Sequence, residues 1–175
     1  MRGVRVLGLD PGLQHTGWGV IECGRDGRLS YVASGVVSTE AAEALAERLC
    51  QLHRALVAVL GCWSPDEAAV EQTYMNKNAA AALKLGQARG VVLLAPVLAG
   101  VPVSEYGAME VKRAVVGTGH AEKGQVEAMV KRLLPGAEIR RADAADALAV
   151  AICHAHHRAT RIALARAGGG GVALR

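Results

Sequence analysis

The sequence predicts a single α/β domain in which one mixed β-sheet carries helices on both faces. Three observations lead there. Three short strand-like runs open the chain with only turn residues between them, and helical and strand-like segments then alternate. The length, 175 residues with 51% hydrophobic, suits one domain able to bury a core.

Strands are expected at 4–10, 16–23 and 29–37, separated by Pro11-Gly12 and by Gly24-Arg25-Asp26-Gly27. Connections that short favour antiparallel neighbours, so the three should form a meander. Across 39–60, Leu45, Leu49, Leu52, Leu56 and Val59 recur at helical spacing. Pro65 and Asp66 break that helix ahead of a short strand closing at Glu71. A long Ala-rich helix is expected over 78–98 and a buried strand over 101–106. Two shorter helices hinged at Gly117-Thr118-Gly119 follow, then a last helix over 142–166. The order β-β-β-α-β-α-β-α-α-α gives five strands in a mixed sheet, three antiparallel and the others parallel. The domain is read as 1–166, and 167–175, with its run of four glycines from Gly168, as a flexible tail.

A net charge of +4 is compatible with nucleic acid without requiring it. After Met1-Arg2 the chain enters a strand containing Arg5, which is not a signal peptide. Apolar stretches are interrupted by charge, Gly or Pro before spanning length, so no membrane partner is expected. Cys23, Cys50, Cys62 and Cys153 are scattered without metal-site spacing, which suits reduced thiols in a cytoplasm. Cys153 and His157 share a helix face, but further ligands at zinc spacing are lacking, and the tract reads as a cationic helix end.

Four carboxylates carry most of the functional information: Asp10, Glu71, Asp143 and Asp146. Each stands where an element begins or ends, and none is read as having a neutralising base beside it in sequence. Taken singly, Asp10 before Pro11-Gly12 is turn chemistry and Glu71 a solvated strand end. Asp143 alone is an N-cap, with Asp146 favoured in the first turn by the helix dipole. Taken together they converge. Asp10 and Glu71 end strands that a mixed sheet places side by side, at the carboxyl edge where open α/β sheets bind ligands. On the last helix, Asp143, Asp146, Val150, Cys153 and His157 form one stripe, which packing on the sheet would aim inward. An oxygen-only set of this kind suits Mg²⁺ or Mn²⁺ and the activation of water beside a phosphate.

Lys112 and Lys123 flank the Gly-hinged helices, where an ammonium would meet phosphate; otherwise they are solvated lysines. Lys123 precedes Gly124 rather than Ser or Thr, so the segment is not a nucleotide P-loop. Tyr74 is conspicuous in a chain with no Phe and three Tyr. It either stacks on an unpaired base or packs on the first turn of the long helix. Lys77 and Lys84 share a helix face and would track a DNA backbone, with Arg89 a further candidate. The Ala79-Ala80-Ala81-Ala82 run, Gly86 and Gly90 would let another helix approach closely, within the chain or across a two-fold dimer.

Leu7-Gly8-Leu9-Asp10-Pro11-Gly12 followed by Thr16-Gly17-Trp18-Gly19 resembles the opening of the RuvC family of Holliday-junction resolvases. Val70-Glu71-Gln72 with Asn76-Lys77-Asn78 continues the resemblance, as does Leu83-Lys84-Leu85-Gly86-Gln87-Ala88-Arg89-Gly90. Val111-Lys112, Val115-Val116-Gly117, Glu122-Lys123 and Ala142-Asp143-Ala144-Ala145-Asp146-Ala147-Leu148-Ala149 complete it, in order, across 4–158. The resemblance implies an RNase H-like fold and a homodimeric nuclease. That nuclease makes two symmetric nicks in strands of like polarity at a four-way DNA junction, for recombination and repair. It maps the acidic site onto Asp10, Glu71, Asp143 and Asp146, although some relatives carry His at the position of Asp143. It implies two Mg²⁺ ions per site, with Mn²⁺ as a substitute, and 5′-phosphate and 3′-hydroxyl products. It assigns functional lysines to Lys112 and Lys123 and a junction-opening aromatic to Tyr74. It also implies a cytoplasmic protein working with the RuvA and RuvB branch-migration motor.

Three other readings stay open on the residues. An actin-like or sugar-kinase-like ATPase shares the Asp10-Pro11-Gly12 and Thr16-Gly17 turns but needs two such domains. A non-catalytic nucleic-acid-binding module would not need four acids, which repel DNA unless metal compensates. Another RNase H-like nuclease would differ only in substrate.

Overall fold

A computed structural model of the chain describes residues 2–72 and 78–168. Its elements are β1 (Val4–Asp10), β2 (His15–Cys23), β3 (Leu29–Ser38), α1 (Leu45–Trp63), β4 (Glu67–Gln72), α2 (Ala79–Leu98), β5 (Val103–Gly107), α3 (Ala108–Val116), α4 (Lys123–Leu133) and α5 (Ala142–Gly168). The five strands form one sheet in the order β3-β2-β1-β4-β5. β1, β2 and β3 pair antiparallel, as the short turns demand, and β4 pairs parallel with both β1 and β5.

The period-two alternation along the strands sorts side chains into two cores. Val6, Ile21 and Ala69 face α5, α3 and α4, where Val111, Val126, Leu148 and Ile152 meet them. Leu7, Leu9, Val20 and Val70 point the other way, onto Leu52 and Leu56 of α1 and Ala88 and Val92 of α2. α5 lies very close to the sheet because glycines line its track. A Cβ on Gly8 would collide with the Ala147 carbonyl and Ala151, and one on Gly17 with the Asp143 carbonyl.

Several boundaries differ from expectation for local reasons. α1 starts at Leu45 rather than at residue 39. The Thr39 hydroxyl donates to the Leu13 carbonyl at 2.6 Å and accepts from Arg48 Nε at 3.0 Å, holding the preceding segment out of the helix. The helix then runs to Trp63 and stops at Ser64, whose φ of 45° is left-handed, ahead of Pro65. β5 begins at Val103, after Pro102, whose nitrogen has no proton to give a ladder. α2 begins as expected at Asn78, whose side chain accepts from the Ala81 N–H at 3.1 Å.

Contrary to the sequence reading, α2 is long and apolar enough to cross a membrane by length and composition alone. Its inner face packs into the domain, whereas Leu83, Leu94 and Val97 are exposed. Among the described residues, a Cβ on Gly86 or Gly90 would meet nothing, so these glycines serve no packing there. Most of the expected tail lies outside the described residues.

Candidate active site

Parallel pairing of β1 with β4 matches Leu9 to Val70, so Asp10 and Glu71 stand at adjoining strand ends. Both occupy positions that alternate onto the α5 side. α5 supplies the other two acids. Its first turn presses on Gly17, the residue paired with Asp10 across β1 and β2, which brings Asp143 over the end of β1. Asp143 is the second residue of the helix rather than its cap; the Arg141 carbonyl accepts from Ala144 and Ala145 instead. One helical turn later, Asp146 enters the cleft.

The cleft encloses about 270 Å³ and is lined by Asp10, Glu71, Lys112, Lys123, Asp146 and the apolar Val111 and Val126. Its electrostatics are those of crowded negative charge. Burial pushes the Asp10 carboxyl up to about 7, and the charges of Glu71, Asp146 and Asp143 push the same way against Lys123. Burial also raises Glu71, helped by Asp146 and opposed by Lys123 and Lys112. Lys123 Nζ lies 2.8 Å from Asp146 Oδ2. Hydrogen bonding to Asp146 raises the lysine above its ordinary range.

Lys123 is the first residue of α4, where a cation opposes the helix dipole. The helix is started instead by Glu122 and Gln125, which form a reciprocal capping box. A cation tolerated there is compensated by the acids it faces. Asp143 does have a basic neighbour, contrary to expectation: Arg141 Nη2 is 3.6 Å from its carboxylate. The two residues stand two positions apart, at the point where α5 begins.

All-oxygen donors short of positive charge fit hard divalent cations. Among the described residues, no three His, Cys, Asp or Glu side chains close on one point. Asp10, Glu71 and Asp146 line the cleft, Asp143 stands outside its lining, and Lys123 supplies positive charge at Asp146.

The remaining candidates divide. Tyr74 and Lys77 lie outside the described residues. Lys84 is exposed on α2. Arg89, half-buried, is committed to an ion pair with Glu105 of β5. Cys153 is fully buried, and His157 pairs with Glu110 at 3.0 Å.

Sequence reasoning missed a second polar cluster beneath the cleft. His154 on α5 is buried, with Nδ1 2.9 Å from the Tyr106 hydroxyl and Nε2 2.6 Å from Glu67 Oε2. Arg158 Nε donates to the other Glu67 oxygen at 2.9 Å. The one available signal was spacing: Glu67 shares the strand alternation of Glu71.

Residues 6–154 match the family described as Crossover junction endodeoxyribonuclease RuvC. A protein of that name from Granulibacter bethesdensis is 63% identical over 163 residues, 93% of this chain and 91% of its own. Another from Acidiphilium cryptum is 66% identical over 157 residues, 89% of this chain and 93% of its own. The structure of T. thermophilus RuvC in complex with Holliday junction substrate superposes with a TM-score of 0.83 at 38% identity, covering 90% of this chain and 96% of that one. A yeast mitochondrial Holliday junction resolvase, 13% identical with a TM-score of 0.63, shares the fold.

Proposed function

Since the chain belongs to the RuvC family of crossover junction endodeoxyribonucleases and has an RNase H-like sheet, we propose that it resolves four-way DNA junctions by paired symmetric nicks through the cleft at the sheet's carboxyl edge. The observation that carries this reading is the crowding of negative charge on Asp10 by Glu71, Asp146 and Asp143, beside one small cavity lined by Asp10, Glu71, Asp146 and two lysines.

The enzyme is metal-dependent, and Asp10, Glu71, Asp143 and Asp146 would hold two Mg²⁺ ions, with Mn²⁺ an acceptable substitute. Bound there, the ions would supply acidification of the attacking water and stabilisation of charge on the phosphate oxygens, for 5′-phosphate and 3′-hydroxyl ends. Lys112 and Lys123 bring ammonium charge to the scissile phosphate and offset the charge that builds on its oxygens. The apolar wall of Val111 and Val126 lowers the local dielectric, which strengthens each of these interactions. Tyr74 stacks on an unpaired base at the junction centre, and Lys77 and Lys84 follow the phosphate backbone. Arg89 anchors α2 to β5 and adds to the positive potential on that side.

Two symmetric nicks require two equivalent sites, and α2 supports a two-fold dimer. Leu83, Gly86, Gly90, Leu94 and Val97 recur at spacings of three, four, four and three, an exposed apolar stripe with glycines where a second helix would cross closest. Gly86→Trp with Gly90→Trp should give monomers in sedimentation at micromolar concentration; unaffected dimers would place the interface elsewhere. The protein works in the cytoplasm with the RuvA and RuvB motor, a proposal supported by family membership alone.

The deciding experiment is Mg²⁺-dependent nicking of a synthetic four-way junction beside a linear duplex of matched sequence. Paired symmetric nicks in the junction alone are expected. Equal cutting of the duplex would make the protein a general nuclease.

A further inference from the structure

The polar cluster beneath the cleft has the geometry of a spacer. Among the described residues the buried polar side chains are Thr16, Thr39 and His154. Both threonines donate to nearby loop carbonyls, Gly12 and Leu13. His154 instead joins three distant elements: Tyr106 of β5, Glu67 of β4 and its own helix α5. Every polar atom of its ring is used. Burial lowers the imidazole below its ordinary range, so the ring is neutral; Nε2–H donates to Glu67, and Nδ1 accepts from the Tyr106 hydroxyl. Arg158 occupies the second Glu67 oxygen and completes the chain.

α5 runs antiparallel to β4. His154 meets Glu67 at the start of the strand, while Asp146 acts on Glu71 near its end. Four strand residues from Glu67 to Glu71 span about 13 Å. Eight helical residues from Asp146 to His154 span about 12 Å. The two lengths match, so anchoring one end sets the other. Elsewhere the buried face of α5 combines alanines such as Ala147 and Ala151, close over glycines, with the fully buried Leu148, Val150 and Ile152, apolar contacts that hold the helix on the sheet without the directionality of hydrogen bonds. Slipping by one residue would move Asp146 by about 1.5 Å along the axis and about 100° around it. Metal coordination tolerates deviations of only about 0.2 Å.

We propose that the Tyr106–His154–Glu67–Arg158 relay is the positioning device of the acidic cleft, pinning the register of α5 on β4 and thereby the separation of Asp146 from Glu71. The inference rests on the metal-binding reading of the cleft. The relay also reaches α3, the helix that bears Lys112. The Tyr106 ring lies against His157, centroids 5.2 Å apart, and His157 pairs with Glu110 of α3 at 3.0 Å. None of the four relay residues lines the cleft; they act through the acids.

The test is calorimetric titration of Mn²⁺ into the full-length protein and its Glu67→Ala, His154→Leu, Glu67→Gln and Tyr106→Phe variants, with a metal-free thermal melt of each. Glu67→Ala and His154→Leu should weaken Mn²⁺ binding about tenfold, the low end for loss of an outer-shell partner. Glu67→Gln keeps an oxygen for the imidazole and should recover most of that affinity. Tyr106→Phe, which removes one oxygen atom, should fold normally and still weaken Mn²⁺ binding, by less than Glu67→Ala does. In nicking assays the Mg²⁺ concentration for half-maximal rate should rise, with the rate at saturating Mg²⁺ nearly preserved. Variants that melt earlier yet bind Mn²⁺ like wild type would overturn the proposal and leave the relay a stability element. If Tyr106→Phe alone folds, unchanged Mn²⁺ affinity in it overturns the proposal equally. Wild-type protein that binds no Mn²⁺ would overturn the metal reading itself, and the proposal with it.

Discussion

Glu67 and Glu71 occupy the same strand and, four residues apart, the same side of it, yet their surroundings treat them oppositely. Burial alone would raise the Glu67 carboxyl, but hydrogen bonds from His154 and Arg158 outweigh it and hold the group below the usual carboxylate range. Glu71 is raised by burial and by Asp146, and Lys123 and Lys112 offset this only in part. One carboxylate has its full complement of donors; the other is short of positive charge. The difference separates a carboxylate neutralised within the protein from one left short of positive charge, since residue type, strand and face are shared.

The largest expected effect tests the cation-deficient end. Asp10→Asn should reduce junction cleavage by at least about a thousandfold, the scale of losing a principal charge-stabilising group. Gel-shift binding of the junction should persist, because fold and basic surface are untouched. Cleavage at the wild-type rate would place the chemistry elsewhere.

Next comes stability measured by urea unfolding in metal-free buffer. Glu67→Ala leaves Nε2 of the buried His154 without its acceptor and removes the partner of half-buried Arg158, and should cost about 1–3 kcal/mol. Glu71→Ala relieves repulsion with Asp10 and Asp146 and should be neutral or stabilising. Equal losses would erase the contrast between the two ends of β4.

The two ends should also respond to pH with opposite sign. Asp10, raised from 3.8 to about 7, contributes stability that is fully present below its unfolded value and lost as pH rises through 7. Glu67 and His154 are lowered from 4.5 and 6.5, so their contribution is present above those values and lost as pH falls. Thermal melts in EDTA should therefore show alkaline and acid limbs. Asp10→Asn should flatten the alkaline limb alone, and Mg²⁺ should raise Tm more above neutrality than below it.

The smallest effect concerns Lys123. Its charge lowers the Asp10 carboxyl, so Lys123→Met should move the Asp10 midpoint upward in carboxyl-carbon NMR of metal-free protein. An unchanged midpoint would mean that the ammonium spends little time in the cleft.

Much of this arrangement was legible before any coordinates. The three-stranded meander followed from two short turns, and the convergence of Asp10 with Glu71 from both residues ending strands of one sheet. The stripe from Asp143 to His157 identified the inward face of α5. The start of α1 was not legible, because the Thr39 hydroxyl competes for the chain through Leu13 and Arg48, contacts that hydrophobic periodicity does not encode. The pairing of Arg141 with Asp143 lay within reach of the sequence, since the two stand two positions apart at the start of α5. The link between Glu67 and His154 spans 87 positions and leaves no mark in either local pattern.

By itself the sequence determined the order of strands and helices, the oxygen-only character of the candidate ligands and the inward stripe of the last helix. Side-chain periodicity and the steric demands of backbone contact are local properties, readable from neighbouring residues. Only the tertiary structure decided that Glu67 is neutralised while Glu71 is not, and that His154 is neutral and buried. Desolvation and Coulomb interaction depend on distance in space, and the partners responsible come from elements far apart along the chain.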